Sequence, residues 1–196
     1  MAEAAESAVR FYFDFYCPYS YLAWEILQKE FHEKEFPLEV LAVGPNPPSQ
    51  PDLLGRKLWS DVRWQALAEK GKALGLTIRP VAAEAFSLIP HQGMLFYEGI
   101  GRQEYLSGVF KGIFELGLDF GHSQTLLNHL QSEGIDTLPL TKALASPATL
   151  SQAKERLQLW DTEHIRVIPA LVCGQDRLAG VLDRRGVQNF LNLHVR

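Results

Sequence analysis

The chain has 196 residues, a formal net charge of −4, 46% hydrophobic residues and 21% charged residues. This composition is typical of a globular protein, and since no run of basic residues is present, we expect no nucleic-acid partner. The sequence contains no apolar stretch of about 20 residues and no secretory signal pattern, so we expect no membrane contact. Two cysteines, Cys17 and Cys173, cannot form a disulfide framework, which favours a reducing, cytoplasmic location.

The first part of the chain predicts a β-α-β unit. Residues 9–15 form an apolar, aromatic run that is typical of a buried strand. Residues 18–35 have the apolar spacing of a helix, and residues 38–43 predict a second strand. The proline-rich stretch 44–51 cannot continue a sheet, because proline removes ladder donors.

The middle of the chain is predicted to be helical from about residue 53 to residue 144. One amphipathic stripe ends near Gly75, and the predicted helices that follow are 91–116, with a break near Gly99, 123–132 and a short segment at 139–144. A longer helix is predicted to begin with Ser146 as its N-cap and Pro147 at its first position, and to reach about residue 164.

The last part of the chain predicts a hairpin and a terminal helix. Residues 168–173 and 177–181 are short strand patterns that are joined by a Gly-containing turn. Residues 183–193 then carry apolar side chains at helical spacing.

Cys17 lies at the predicted junction between the first strand and the first helix. Pro18 fits the first helical position, so the cysteine faces the free N–H groups and the positive dipole end of a helix start. Such a position can lower a cysteine pKa from ~8.5 to ~3.5–7.5. A free cysteine is also often a small buried hydrophobe. The order Cys17-Pro18-Tyr19-Ser20 at this junction favours a reactive thiol.

The order of elements, the Cys-Pro-x-x motif and Ile168-Pro169 before the hairpin resemble the thioredoxin superfamily, and more specifically the DsbA family. This resemblance implies an α/β, DsbA-like thioredoxin fold with an inserted helical domain. The thioredoxin-like domain would consist of residues 1–51 and 146–196, and the inserted helical domain of residues 52–145. It also implies that Cys17 is the nucleophile and that Pro169 is a cis-proline whose loop holds substrate.

Ser20 stands where the DsbA pattern has a second cysteine. That second thiol releases the first from a mixed disulfide, and a serine cannot do so. Cys173 lies four residues after Pro169, about 13 Å along an extended strand, whereas a disulfide needs Cα atoms within ~7 Å. We therefore expect a monothiol site, with Cys17 and Ser20 as its catalytic residues and no tightly bound cofactor. Glutathione or a similar small thiol is the expected cosubstrate.

The motif is also similar to the Ser-Pro-Tyr-Ser start of kappa-class glutathione transferases and 2-hydroxychromene-2-carboxylate isomerases, whose first motif residue faces the glutathione sulfur. By this resemblance, Asp183 and Arg184 hold the γ-glutamyl end of glutathione at a helix start. The alternative is an Asp cap followed by a solvated Arg. His91 lies at the predicted start of a helix in the insertion, roughly where members of the family carry a polar residue that faces the cleft. The alternative is a surface histidine at a helix start.

The expected function is that of a thiol–disulfide oxidoreductase acting on a small thiol or a protein disulfide. Pro18, Tyr19, Ile168, Pro169 and His91 are the predicted substrate contacts. The alternatives are a glutathione-dependent isomerase or transferase and a non-enzymatic thioredoxin-like binding protein. Scattered histidines and two cysteines give no metal-ligand spacing, so no metal is expected. The oligomeric state stays open, with a homodimer among the alternatives.

Overall fold

A computed structural model of the chain describes residues 8–33, 36–43, 61–81, 88–157 and 164–195. The strands within these residues are β1 (Val9–Phe13), β2 (Leu38–Ala42), β3 (Ala170–Cys173) and β4 (Asp176–Ala179). The helices are α1 (Pro18–Glu33), α2 (Asp61–Ala73), α3 (Leu88–Met94), α4 (Gly99–Phe114), α5 (Ser123–Ser132), α6 (Leu138–Ala145), α7 (Pro147–Arg156) and α8 (Arg184–His194). Among them, none is both long and apolar enough to cross a membrane.

The four strands form one mixed sheet in the order β2-β1-β3-β4. β1 runs parallel to β2, with Val9 opposite Leu38, and antiparallel to β3, with Phe11 opposite Leu171. β3 and β4 form the antiparallel hairpin that the sequence predicts. The sheet therefore joins the two ends of the chain, while α2 to α7 lie between β2 and β3 in sequence. This arrangement confirms the predicted α/β fold with a helical insertion.

β1 is buried on both faces, which explains its nearly continuous run of apolar residues. Phe11 and Phe13 point to one face, where their rings lie 6.3 Å from Trp24 and 5.7 Å from Phe110, respectively. Tyr12 points to the opposite face, because side chains alternate along a strand. The chain that leaves β1 consequently enters the first helix between two separate apolar clusters.

The short helix α3 is held tightly within the insertion. It contacts α6 and α7, and Gln92 Nε2 donates to the carbonyl of Ala143 over 2.8 Å. A Cβ atom added at Gly93 would overlap the hydroxyl of Tyr105 and the side chain of Leu140, so only glycine permits this close approach. The position of α3 is therefore closely determined by its neighbours.

Several predicted element boundaries were wrong. β1 ends at Phe13 instead of residue 15, because Asp14 begins a turn. The predicted helix 91–116 is two helices, α3 and α4, separated by a turn and by Gly99 at φ 53°. Because α3 begins at Leu88, before the predicted start at residue 91, His91 lies in the middle of α3 and not at a helix start.

The predicted start of α7 is confirmed, since Pro147 is its first residue and Ser146 Oγ accepts a bond from the N–H of Thr149. α7 ends at Arg156, before the predicted end near residue 164, and residues 158–163 lie outside the described residues. The predictions for residues 44–60 also fall outside them.

Candidate active site at the start of the first helix

The turn between β1 and α1 is built around Asp14. Its carboxylate oxygen Oδ1 accepts a hydrogen bond of 2.8 Å from the N–H of Tyr16, and its backbone carbonyl accepts one of 3.1 Å from the N–H of Cys17. This side-chain bond to the backbone two residues on is an Asx-turn. α1 then begins at Pro18, and the carbonyl of Cys17 accepts from the N–H of Ser20. The turn therefore places Cys17 directly before the helix, as predicted.

Cys17 is almost completely buried, with 2% of its surface exposed. It belongs to the second apolar cluster of the molecule, which includes Tyr12, Val43, Ile165 and Ile168. The Ile168–Pro169 peptide bond is cis. The fold thus brings Cys17 together with the Ile168-Pro169 loop, although the two are far apart in sequence.

Burial raises the pKa of the Cys17 thiol to about 11. The Ser20 hydroxyl and the backbone N–H groups of Ser20 and Tyr19 lower this pKa, and the negative charge of Asp14 raises it. The prediction of a lowered pKa was wrong, because the loss of hydration outweighs the donors at the helix start. With such a pKa, the thiol stays almost entirely protonated at pH 7.

Ser20 is completely buried, and its hydroxyl lies beside the Cys17 sulfur. Within the described part of the chain, its oxygen makes no hydrogen bond of ordinary geometry. Of the groups that lower the Cys17 pKa, this hydroxyl has the largest effect. Ser20 can therefore donate to a thiolate on Cys17 or to a sulfur atom that approaches it.

His91 forms a buried pair with Asp14. His91 Nε2 lies 2.9 Å from Asp14 Oδ2, and the two residues are 2% and 0% exposed. A carboxylate only accepts, so Nε2 carries the hydrogen. His91 Nδ1 is buried and has no partner among the described residues. The interpretation of His91 as a surface histidine was therefore wrong.

Asp14 is the site residue that sequence reasoning missed. The signal was present, since Asp14 is the one charged residue within the aromatic run 11–16. A carboxylate in a buried segment needs hydrogen-bond donors or a counter-charge. That requirement predicts a partner from another element, although the sequence alone does not indicate which one.

The other predicted motif residues line the surroundings of Cys17. Pro18 and Pro169 are buried, whereas Tyr19 is partly exposed and packs against both apolar clusters. Val167, which precedes the Ile168-Pro169 loop, is 52% exposed. Contact between these residues and a substrate stays a prediction.

Asp183 and Arg184 are engaged elsewhere. Asp183 Oδ1 accepts from the N–H of Gly186 over 2.7 Å and caps α8. Arg184 Nε donates to Glu30 Oε1 over 2.9 Å. Glu30 lies about 20 Å from Cys17 along α1, at 1.5 Å per residue. The structure therefore does not bring the Arg184 side chain to the Cys17 end of the helix, and its role in glutathione binding stays a prediction.

A cavity of about 400 Å³ lies away from Cys17, between α1, α4 and the loop after α5. Its lining includes Tyr21, whose hydroxyl donates to Glu115 over 2.6 Å. Burial and this contact raise the pKa of Tyr21 well above its ordinary value. Although Glu25 and Glu133 also line the cavity, the described residues contain no group of three or more His, Cys, Asp or Glu side chains that could hold a metal ion.

Comparison with known proteins identifies a family and several similar structures. Residues 8–192 match the family described as DSBA-like thioredoxin domain. A search of curated proteins gives no match. A 2-hydroxychromene-2-carboxylate isomerase structure shares 16% identity, with a TM-score of 0.75 and 95% of both chains covered.

Two further structures have related folds. A probable DsbA oxidoreductase from Streptomyces coelicolor shares 16% identity, with a TM-score of 0.72, and the match covers 94% of this chain and 88% of that one. The cytosolic disulfide reductase DsbM from Pseudomonas aeruginosa, in its structure with GSH, shares 17% identity with a TM-score of 0.65, over 96% and 99% of the two chains. Likenesses at this level of identity support the fold.

Proposed function

Since this chain belongs to the family of DSBA-like thioredoxin domains, we propose that it is a thiol–disulfide oxidoreductase with Cys17 as its single reactive thiol. One observation carries this proposal: Cys17 precedes α1 in the same cluster as Ile168, and the hydroxyl of Ser20, not a second thiol, lies beside its sulfur. Because a monothiol site needs an external thiol to turn over, the proposed cosubstrate is glutathione or a similar small thiol.

The proposed reaction has two exchange steps. The Cys17 thiolate attacks one sulfur of a disulfide substrate, and the other sulfur leaves as a thiolate and takes up a proton. A glutathione thiolate then attacks the mixed disulfide, so that the Cys17 sulfur leaves and a new disulfide carries glutathione away. Such a cycle requires a supply of reduced small thiol, which fits the expected cytoplasmic location.

Each neighbour of Cys17 has a proposed role in these steps. The Ser20 hydroxyl and the N–H groups of Ser20 and Tyr19 stabilise the developing thiolate, since all of them lower the Cys17 pKa. Pro18, Tyr19, Ile168 and Pro169 are the proposed walls of the substrate site. Burial keeps the thiol protonated, because water cannot solvate a thiolate there. The bound substrate must therefore stabilise the Cys17 thiolate in place of water.

The proposal is tested by the intact mass of the chain after incubation with oxidised glutathione. We expect one glutathione adduct on the wild type and on Cys173→Ser, the matched control for the other thiol. We expect none on Cys17→Ser. Absence of an adduct on the folded wild type, or an equal adduct on Cys17→Ser, would refute the proposal.

The raised pKa of Cys17 specifically favours a second candidate function, that of a glutathione-dependent isomerase. A thiol with a pKa of about 11 remains S–H at neutral pH, so it can donate to the thiolate of a bound glutathione without forming a covalent bond. The similarity of Cys17-Pro18-Tyr19-Ser20 to the Ser-Pro-Tyr-Ser motif supports the same role.

Cys17→Ser separates the two candidates. A serine hydroxyl can still donate a hydrogen bond but cannot form a mixed disulfide. An isomerase would therefore retain most of its activity on a 2-hydroxychromene-2-carboxylate in this variant, whereas an oxidoreductase would lose all disulfide exchange.

A further inference from the structure

We propose that Asp14 and His91 form a positioning pair through which the helical insertion controls how readily Cys17 loses its proton. This inference rests on the proposed function, because it takes Cys17 as the reacting group. It assigns His91 to the support of the Asp14 turn in place of direct contact with substrate.

Asp14 contacts both the turn before α1 and the helical insertion. Its Oδ1 and its backbone carbonyl accept the N–H groups of Tyr16 and Cys17, so the residue shapes the turn that presents the thiol. Its Oδ2 contacts His91 of α3. One carboxylate therefore connects the thiol-bearing turn to the insertion.

Neighbouring contacts hold the same turn against the insertion. The Phe15 ring lies 5.1 Å from the His91 ring, and the Tyr16 hydroxyl accepts from the N–H of Phe120 over 3.0 Å. Cys17 itself faces the other cluster. The insertion therefore contacts the turn at three successive residues, 14 to 16, and a displacement of α3 would act on residues 14 and 15 through His91.

Burial gives the pair its electrostatic effect. An ionised carboxylate with no exposed surface needs a donor or a counter-charge, and His91 Nε2 supplies the contact at Oδ2. The remaining negative charge acts on Cys17 in a poorly hydrated environment, where it opposes a second negative charge on the sulfur.

The other contributions to the Cys17 pKa come from the Ser20 hydroxyl and from the backbone N–H groups of Ser20 and Tyr19. The remaining neighbours in the cluster, such as Tyr12, Val43 and Ile168, are aromatic or apolar. Within the described surroundings of the sulfur, Asp14 is thus the charged group that acts on it, and His91 acts through Asp14.

The test is a titration of the Cys17 thiolate by its ultraviolet absorbance, taken as the difference from Cys17→Ala. Asp14→Asn retains an oxygen for the Tyr16 N–H but removes the charge, so we expect the Cys17 pKa to fall by about one unit. Alkylation by iodoacetamide at pH 8 should then rise about threefold, since tenfold more thiolate is partly offset by its lower nucleophilicity. An unchanged or raised pKa in the folded variant would overturn the proposal.

Two matched controls separate this effect from general damage. Asp119→Asn removes the charge from another Asx-turn, in which Asp119 Oδ1 accepts from Gly121 N. His194→Gln alters another His–Asp contact, 3.4 Å from Asp176. We expect both variants to keep the wild-type Cys17 pKa, and a similar shift in either would overturn the assignment to Asp14 and His91.

The pairing itself is tested by combining variants. His91→Gln should change the Cys17 pKa in the wild-type background and leave it unchanged in the Asp14→Asn background, because His91 acts through the carboxylate. Equal shifts in both backgrounds would overturn the pairing.

A measurement on the wild type covers the case in which Asp14→Asn fails to fold. Nitrogen NMR of the His91 ring should show a step at the pH where Cys17 ionises, and Cys17→Ala should lack that step. A step at this pH in both the wild type and Cys17→Ala would overturn the proposal. Since no glutathione is involved, a missing mixed disulfide would refute the proposed function and leave this result unaffected.

Discussion

Two effects shift the pKa of Cys17 in opposite directions. The start of α1 directs N–H groups and the Ser20 hydroxyl at it, while burial removes the water that would solvate a thiolate. Helix-start donors can lower a cysteine pKa by several units, but complete burial can raise one by a similar amount. The pKa of about 11 indicates that burial is the larger effect in this arrangement.

The same balance predicts how stability depends on pH. Because the Cys17 pKa is raised from its ordinary 9.0 to about 11 in the folded chain, its contribution is fully present below pH 9. It is lost as the pH rises towards 11, since the unfolded chain releases the proton first. The difference between these two pKa values corresponds to roughly 2–3 kcal/mol. Urea unfolding should therefore show that the wild type loses about 2 kcal/mol more than Cys17→Ala between pH 7 and about pH 10.5. Equal losses would contradict the raised pKa.

Ser20→Cys should rebuild a dithiol site. The Ser20 side chain already lies beside the Cys17 sulfur, and its N–H donates to the Cys17 carbonyl over 2.9 Å. We expect an intramolecular disulfide under mild oxidant and reduction of insulin after pre-reduction, without added small thiol, because the second thiol resolves the mixed disulfide. The wild type should need glutathione in the same assay.

As the control for that experiment, Cys173→Ser is added to both the wild type and Ser20→Cys. If Ser20→Cys is folded and forms no internal disulfide, residues 17 and 20 are not arranged as in a thioredoxin-type helix start.

At the level of elements, short caps and turns position the helices around the site. α1 follows the Asp14 turn, α7 starts at the Ser146 cap, and α8 starts at the Asp183 cap. α3 has seven residues and depends on its tertiary contacts, because isolated helices of this length are not stable in water. The His91 contact to Asp14 therefore depends on the packing of the insertion.

Substitution of Asp183 tests whether this residue is a cap or a glutathione ligand. Asp183→Ala removes the acceptor for Gly186 N and should lower the free energy of unfolding by about 1 kcal/mol, whereas Asp183→Asn retains a good cap. Thermal or urea unfolding measures both. We expect neither variant to change the rate of mixed disulfide formation with glutathione, and a large loss of that rate in Asp183→Asn would support the ligand role.

At the level of the whole molecule, the strand register separates the two cysteines. Cys17 follows the end of β1 at which Tyr12 pairs with Ala170, whereas Cys173 lies beyond the pairing of Arg10 with Val172, at the other end of β3. Three residue steps along a strand correspond to about 10 Å, and both cysteines are free. The fold therefore separates the two thiols.

This separation predicts that Cys173 cannot resolve a mixed disulfide on Cys17. After mild oxidation, the intact mass of the wild type should not show the loss of two hydrogens that marks an internal disulfide. Cys173→Ser should retain the full rate of exchange with glutathione. An internal disulfide in the folded chain, or loss of exchange in Cys173→Ser, would show that the ends of β3 come together.

Local patterns in the sequence were sufficient for most of the fold. The aromatic run before Cys17, the Ser146-Pro147 start of α7 and the final hairpin predicted their elements because propensity, turn chemistry and alternation act over a few residues. The Cys17-Pro18 junction followed from the same local rules. Boundaries were less accurate where a side chain redirected the backbone, as at Asp14, or where a break divided a helical pattern, as before Gly99.

The chemistry at the sulfur was decided by tertiary structure. The sequence determined that a cysteine precedes a helix, with a serine in the same turn, and its resemblance to a family pointed to the Ile168-Pro169 loop. It could not determine that Cys17 is buried against Ile168, nor that His91 reaches Asp14 from the insertion. Hydration and charge interactions depend on every element that packs around a group, and those elements come from distant parts of the chain. For this reason, the position of the thiol was predictable from the sequence, whereas its ionisation was not.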